Sequence, residues 1–218
     1  MRHFAKTSLS ALAAIAFVSF PAMADARTEA YVAANASEVL ASLNDPSLDQ
    51  ASRTDKFNTY MDEFTDINLI ANFVIGVYSR RFTPDEMRRY RTAFRVYALA
   101  VYETELDTYR GEAIVVQGST DRNARDSIVD TVIRRADGKD MSVRWRVMTR
   151  NGEFQVIDVA LNLEGNLVWL AIEQRAQFLA LLDRTNGSAD ALIDKLNSMT
   201  ASLNARKRAG LPSTINAG

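Results

Sequence analysis

The sequence predicts an α+β domain in which helices pack around a small antiparallel sheet of about four strands. Three observations predict it. Between Asp25 and Arg110 the only breakers are Gly76, Pro46 and Pro84, whereas glycines 111, 118, 138, 152 and 165 punctuate the stretch that follows. Within the punctuated stretch apolar and polar residues alternate, as half-buried strands require. Asn151-Gly152 stands between two such runs, and Asn-Gly closes a two-residue hairpin because both positions need positive φ.

The chain opens "MRHFAKTSLSALAAIAFVSFPAMADA". A basic start (Arg2, His3, Lys6), an apolar run from Leu9 to Phe20, a break at Pro21 and the small-residue site Ala22-Met23-Ala24 follow the plan of a secretory signal peptide. Residues 1–24 are expected to be removed, leaving one domain over 25–204 and a flexible tail over 205–218. No later segment reaches the roughly 18 uninterrupted apolar residues of a membrane span, so a soluble periplasmic chain is expected.

The leader also takes away His3, the one histidine, and the 218 residues contain no cysteine. Without His or Cys the mature chain cannot run Ser-His-Asp or Cys-His mechanisms, build the usual zinc sites or form disulfides. Losing Arg2 and Lys6 from 26 basic residues, against 27 acidic ones, leaves a net charge of about −3. That balance does not suit a nucleic-acid binder.

Helices are expected at 26–43, 47–63, 66–78 and 84–109, and again after Gly187. Ser47 is a candidate cap after the turn Asn44-Asp45-Pro46. Thr83-Pro84-Asp85-Glu86 combines a cap, a proline at the first helical position and the Glu of a capping box. Tyr90, Phe94, Tyr97, Val101 and Leu106 then form one apolar band.

Strands are expected at 112–118, 126–135, 141–150 and 153–162. A tight turn at Asn151-Gly152 would pair Arg150 with Glu153, Thr149 with Phe154, Val147 with Val156 and Trp145 with Asp158. Asp158 then shares the apolar face with Trp145, while Arg144 and Arg146 lie on the other face, as solvated charges or as a surface for an acidic partner.

The following stretch, "VWLAIEQRAQFLALL" (168–182), is helical by period and centres Arg175 on a face made of Val168, Ala171, Ile172, Phe178, Leu179 and Leu182. A buried guanidinium needs a partner. A structural ion pair between Asp158 and Arg175 is the economical expectation, with an anionic ligand or another protein group as alternatives.

Taken in order, these segments resemble the MlaC family, also called the toluene-tolerance family, of periplasmic substrate-binding proteins. The resemblance runs over nearly all of the mature chain. Its clearest pieces are "DINLIANFVIGVYSRRFTPDEMRRYRTAFRVYALAVYETELDTYRGEAIVV" (66–116), "GEFQVIDVALNLEG" (152–165), "QRAQF" (174–178) and "DALIDKL" (190–196). Ser79 and Phe154 stand where the family often has Trp, and "GNLVWL" (165–170) departs from the family's continuation.

The resemblance implies a phospholipid carrier, with acyl chains in an apolar cavity and the head group near solvent. It further implies shuttling between an outer-membrane lipoprotein complex and an inner-membrane ABC transporter with an MCE-domain ring, which maintains outer-membrane lipid asymmetry. Neither catalytic residue nor cofactor nor metal is implied; phospholipid is the cargo, and a monomer is expected.

A cavity between helices and sheet takes its lining from apolar side chains that equally suit a core. The candidates are Phe73, Val74, Val77 and Tyr78 in one segment, Phe94, Tyr97 and Val101 in the long helix, Trp145 and Val147 in the third strand, and Trp169, Ile172 and Phe178 beyond the sheet. Two other functions use the same elements. A periplasmic adaptor holding partner helices would need no cavity. A carboxylate hydrolase would need pairs such as Asp62/Glu63 or Glu103/Glu105 to converge on one cleft, which neighbours on a helix do poorly.

Overall fold

The structure, a computed structural model, describes residues 26–108, 113–163 and 165–209. The expected leader lies outside the described residues. In chain order the elements are α1 (Ala26–Asn44), α2 (Gln50–Phe64), α3 (Ile67–Ile75), a 3-10 turn (Gly76–Arg80) and α4 (Pro84–Thr108). The sheet follows as β1 (Ala113–Asn123), β2 (Asp126–Arg134), β3 (Met141–Arg150), β4 (Glu153–Leu163) and β5 (Asn166–Trp169). Helices α5 (Leu170–Arg184) and α6 (Ala189–Arg208) close the chain, so α6 continues into the segment expected as tail.

Local chemistry accounts for most helix ends. Ser47 does not cap α2: its N–H and hydroxyl both donate to Asp45 Oδ1, at 2.9 and 2.6 Å, and Asp49 caps instead by accepting from Ser52 N at 2.8 Å. The capping box of α4 forms as its spacing requires. Thr83 N donates to Glu86 Oε2 at 2.8 Å, and Glu86 N donates to Thr83 Oγ1 at 3.3 Å. Helix α3 stops at Ile75 rather than 78 because Gly76 leaves the helical region at φ +53°, and the chain tightens into the 3-10 turn.

The sheet is an antiparallel meander in the order β1-β2-β3-β4-β5. Its fifth strand was not expected. Val168 and Trp169 fit the helical period, yet they pair with Leu161 and Ala160 of β4, and α5 begins only at Leu170. The hairpin register holds from Arg150–Glu153 through Val147–Val156 and then shifts. Ile157 is an extra residue in β4, so Asp158 lies opposite Arg146, and Trp145 lies opposite Val159 rather than Asp158.

Arg144 and Arg146 are already satisfied across the sheet. Arg144 binds Asp130, directly opposite it on β2, and Arg146 forms a fork on Asp126 with bonds of 3.0 and 2.9 Å. On the inner side, Trp145 Nε1 donates to Thr131 Oγ1 at 2.8 Å, and Thr131 Oγ1 donates to the Val143 carbonyl at 3.1 Å. Val129, Val143, Val147 and Leu161 join Tyr90, Phe94 and Phe178 in one core. Phe94 and Phe178 meet edge to face, with ring centroids 6.4 Å apart.

The capping box gives a direct test. Thr83→Ala removes one of its two reciprocal bonds and is expected to lower unfolding free energy by about 1 kcal/mol. Urea denaturation should show a lower midpoint with an unchanged slope.

Candidate functional site

Helices and sheet enclose a narrow apolar cavity. Val39 of α1, Met61 and Phe64 of α2, Thr65, Ile70 of α3 and Tyr102 of α4 face Trp145 of β3 and Val156, Asp158, Val159 and Leu161 of β4. Its free volume is about 20 Å³, room for about one water. A groove of about 140 Å³ adjoins it, lined by Leu69, Ile70 and Phe73 of α3 and by Arg146, Met148, Ile157 and Asp158. Ile70 and Asp158 line both spaces and therefore form the wall between them.

Asp158 lies in this wall directly after the extra residue in β4, opposite Arg146 of the groove. Its side chain is 2% exposed. Oδ1 accepts from Val159 N and from Ala171 N, both at 2.9 Å, so the carboxyl caps the first turn of α5. Oδ2 is buried with no hydrogen-bond partner among the described residues. Burial pushes the Asp158 carboxyl up to about 6, against the lowering pull of the Ala171 and Val159 N–H groups and of Arg146. Burial and the nearby Asp158 carboxylate raise the Tyr102 hydroxyl.

The expected ion pair between Asp158 and Arg175 does not form. The buried stripe of α5 runs through Leu170, Ala171, Gln174, Phe178 and Leu182, rotated from the face centred on Arg175. Ile172, on that expected face, is 50% exposed. Arg175 sits at the flank, where its guanidinium donates to the Phe73 carbonyl and lies 4.9 Å from the centre of the Phe73 ring. It also covers Gly76, at which a Cβ would fall 2.7 Å from Arg175 Nη2. Glycine is thus required at 76 both by φ and by space.

Of the twelve apolar candidates, the structure brings Trp145 to the cavity and Phe73 to the groove. Val74, Tyr78, Phe94, Tyr97, Val101, Val147 and Phe178 are buried in the core. Val77 and Ile172 are exposed, and Trp169 is half-buried in β5. Reasoning from sequence missed Val39, Met61, Phe64, Ile70 and Tyr102. Met61 and Phe64 have the three-residue spacing of a buried helix face, but that spacing marks core and cavity wall alike.

Of the candidate carboxylates, Glu103 lines a separate open groove with Asp55 and Lys207, and the side chain of Glu105 lies outside the described residues. Asp62 is bound by Arg95, and Glu103 by Lys207 and Thr54, and neither carboxylate lines the apolar cavity. Among the described residues no helix is long and apolar enough to cross a membrane.

Comparison with known proteins agrees with this architecture. The family model described as MlaC protein matches residues 33–198. The chain belongs to the MlaC family. A phospholipid-binding protein from Ralstonia solanacearum, solved in complex with a phospholipid, shares the fold at a TM-score of 0.68 and 19% identity, over 80% of this chain and 97% of that one. No curated protein matches the chain.

Two measurements probe this MlaC-family site. Gly76→Ala is expected to cost about 1–3 kcal/mol, because alanine must adopt a strained φ and displace the Arg175 guanidinium; thermal unfolding would register it. Asp158 gives a pH signature. Its carboxyl holds a proton in the folded chain up to about pH 6 but, from the ordinary value of 3.8, loses it earlier when unfolded. Its contribution to stability is therefore full below about pH 4, declines between about pH 4 and 6, and is level above. Stability curves of the unmutated chain and Asp158→Asn should diverge across that window by up to about 3 kcal/mol.

Proposed function

We infer that this protein is a periplasmic phospholipid carrier, in which acyl chains enter the space between α1–α4 and the sheet. The observation that carries the reading is the cavity wall, apolar apart from Thr65, Tyr102 and Asp158, in a chain of the MlaC family. The phospholipid complex of the Ralstonia solanacearum protein with the same fold supports it. Each methylene withdrawn from water contributes about 0.8 kcal/mol, so two tails supply ample affinity without recognition of the head group.

A cavity of about 20 Å³ is far below the roughly 300–1,000 Å³ of ordinary ligand pockets. Loading therefore requires the walls to part. The partition at Ile70 and Asp158 is the natural place, since its displacement joins cavity to groove and puts the chains inside with the head group outside. Helix α3 has only nine residues and ends at Gly76, which makes it the shortest helical wall to move.

The carrier exchanges lipid with an outer-membrane lipoprotein complex at one membrane and an inner-membrane MCE-domain ABC transporter complex at the other, as a monomer and without catalysis, and so maintains outer-membrane asymmetry. This part of the proposal follows from the family to which the chain belongs. Native mass spectrometry of the mature protein, purified without detergent, tests the reading. A co-purifying mass that matches phospholipid after organic extraction is the expected result. A clean protein mass, unchanged after exposure to liposomes, would instead favour an adaptor that holds partner helices.

A further inference from the structure

The wall between cavity and groove contains a polar atom without a hydrogen-bond partner among the described residues. Asp158 is 2% exposed, lines both spaces and has one oxygen, Oδ1, occupied by two backbone N–H groups. Its other oxygen, Oδ2, has no partner among the described residues. A proton on this carboxyl belongs on Oδ2, because Oδ1 already accepts two hydrogen bonds. Oδ2 then becomes a donor that needs an acceptor. Leaving a buried donor unpaired costs free energy, so the position favours any ligand that presents an acceptor there.

Neighbouring groups do not take that role. Thr65 Oγ1, which donates to the Met61 carbonyl at 2.7 Å, makes no hydrogen bond with Asp158 Oδ2, while Val39, Met61, Phe64 and Ile70 are what α1, α2 and α3 add to the cavity wall. The charged and titratable groups facing Asp158 are Arg146 of β3, held on Asp126 of β2, and the Tyr102 hydroxyl of α4. Helix α5 presents the backbone N–H groups of Ala171 and Ile172, both donors. Arg175 of α5 is engaged on the Phe73 carbonyl.

An amphiphile with its chains in the cavity and its charged head in the groove places its glycerol linkage at the wall between them. In a diacyl lipid that linkage carries two ester carbonyl oxygens, acceptors with no hydrogen of their own. We propose that Asp158 is a ligand-contacting residue that donates through Oδ2 to a glycerol ester carbonyl of bound lipid, and so selects acyl esters over lipids that lack the carbonyl. The assignment rests on the carrier reading. The selection operates while Asp158 holds its proton and is lost once it ionises, because a carboxylate beside a carbonyl oxygen only repels it. No histidine is present among the described residues to titrate in the same range.

The experiment compares two phosphatidylcholines with the same head group and sixteen-carbon chains, one diester and one diether, delivered from liposomes and read by native mass spectrometry. The unmutated protein at pH 5 is expected to prefer the diester by about fivefold, the worth of one ordinary hydrogen bond. At pH 8 the preference should vanish. Asp158→Leu should bind both lipids without preference at either pH, and Asp158→Asn, which keeps a donor, should prefer the diester at both. Equal uptake of the two lipids by the unmutated protein at pH 5 would overturn the assignment, and that comparison needs no variant to fold. An undiminished preference at pH 8, or one retained in Asp158→Leu, would overturn it too. Failure to take up either lipid at either pH would overturn the carrier reading itself, a different result from uptake without selection.

Discussion

One buried carboxyl ties the sheet to the helix that follows it. Asp158 is held by its own strand through Val159 N and by the first turn of α5 through Ala171 N. A charge there is opposed by burial and favoured by the unsatisfied N–H groups of the helix start. The balance leaves its pKa near neutrality, at about 6. The direction in which α5 leaves the sheet depends on this contact, since β5 ends at Trp169 and the helix begins at the next residue. The position of α5 in turn sets Phe178 against Phe94 and brings Arg175 over the end of α3.

The extra residue at Ile157 sets the place of Asp158 in the sheet. Without it, strict alternation would place Asp158 opposite Trp145 on the inner face. With it, Asp158 comes opposite Arg146 and lines both cavity and groove. A bulge is a common way to re-aim a side chain near a functional site. Here Asp158 is a polar point at the junction between the space suited to chains and the space suited to a head group.

Arg175 shows how a short periodic pattern misleads. The segment from Val168 has apolar residues on two overlapping faces, and a symmetric reading centres the arginine. The tertiary structure breaks the symmetry by giving Val168 and Trp169 to β5, which leaves Leu170 and Gln174 to define the buried side. The guanidinium then finds a backbone carbonyl and an aromatic ring at the flank, where it keeps its charge without deep burial.

The α+β class, the capping box at Thr83, the hairpin at Asn151-Gly152 and the resemblance to the MlaC family are legible in the sequence alone. These rest on local rules: turn residues, caps and periods act within a few residues of one another, so they can be read in one dimension. The bulge at Ile157, the strand at Asn166–Trp169, the partner of Arg175 and the choice of cavity-lining side chains were decided only by the tertiary structure. Each depends on what lies across a gap between elements distant in sequence. Phe94 and Trp145 both belong to the buried core, and only the way α4 and β3 meet their neighbours gives Trp145 an edge on the cavity as well.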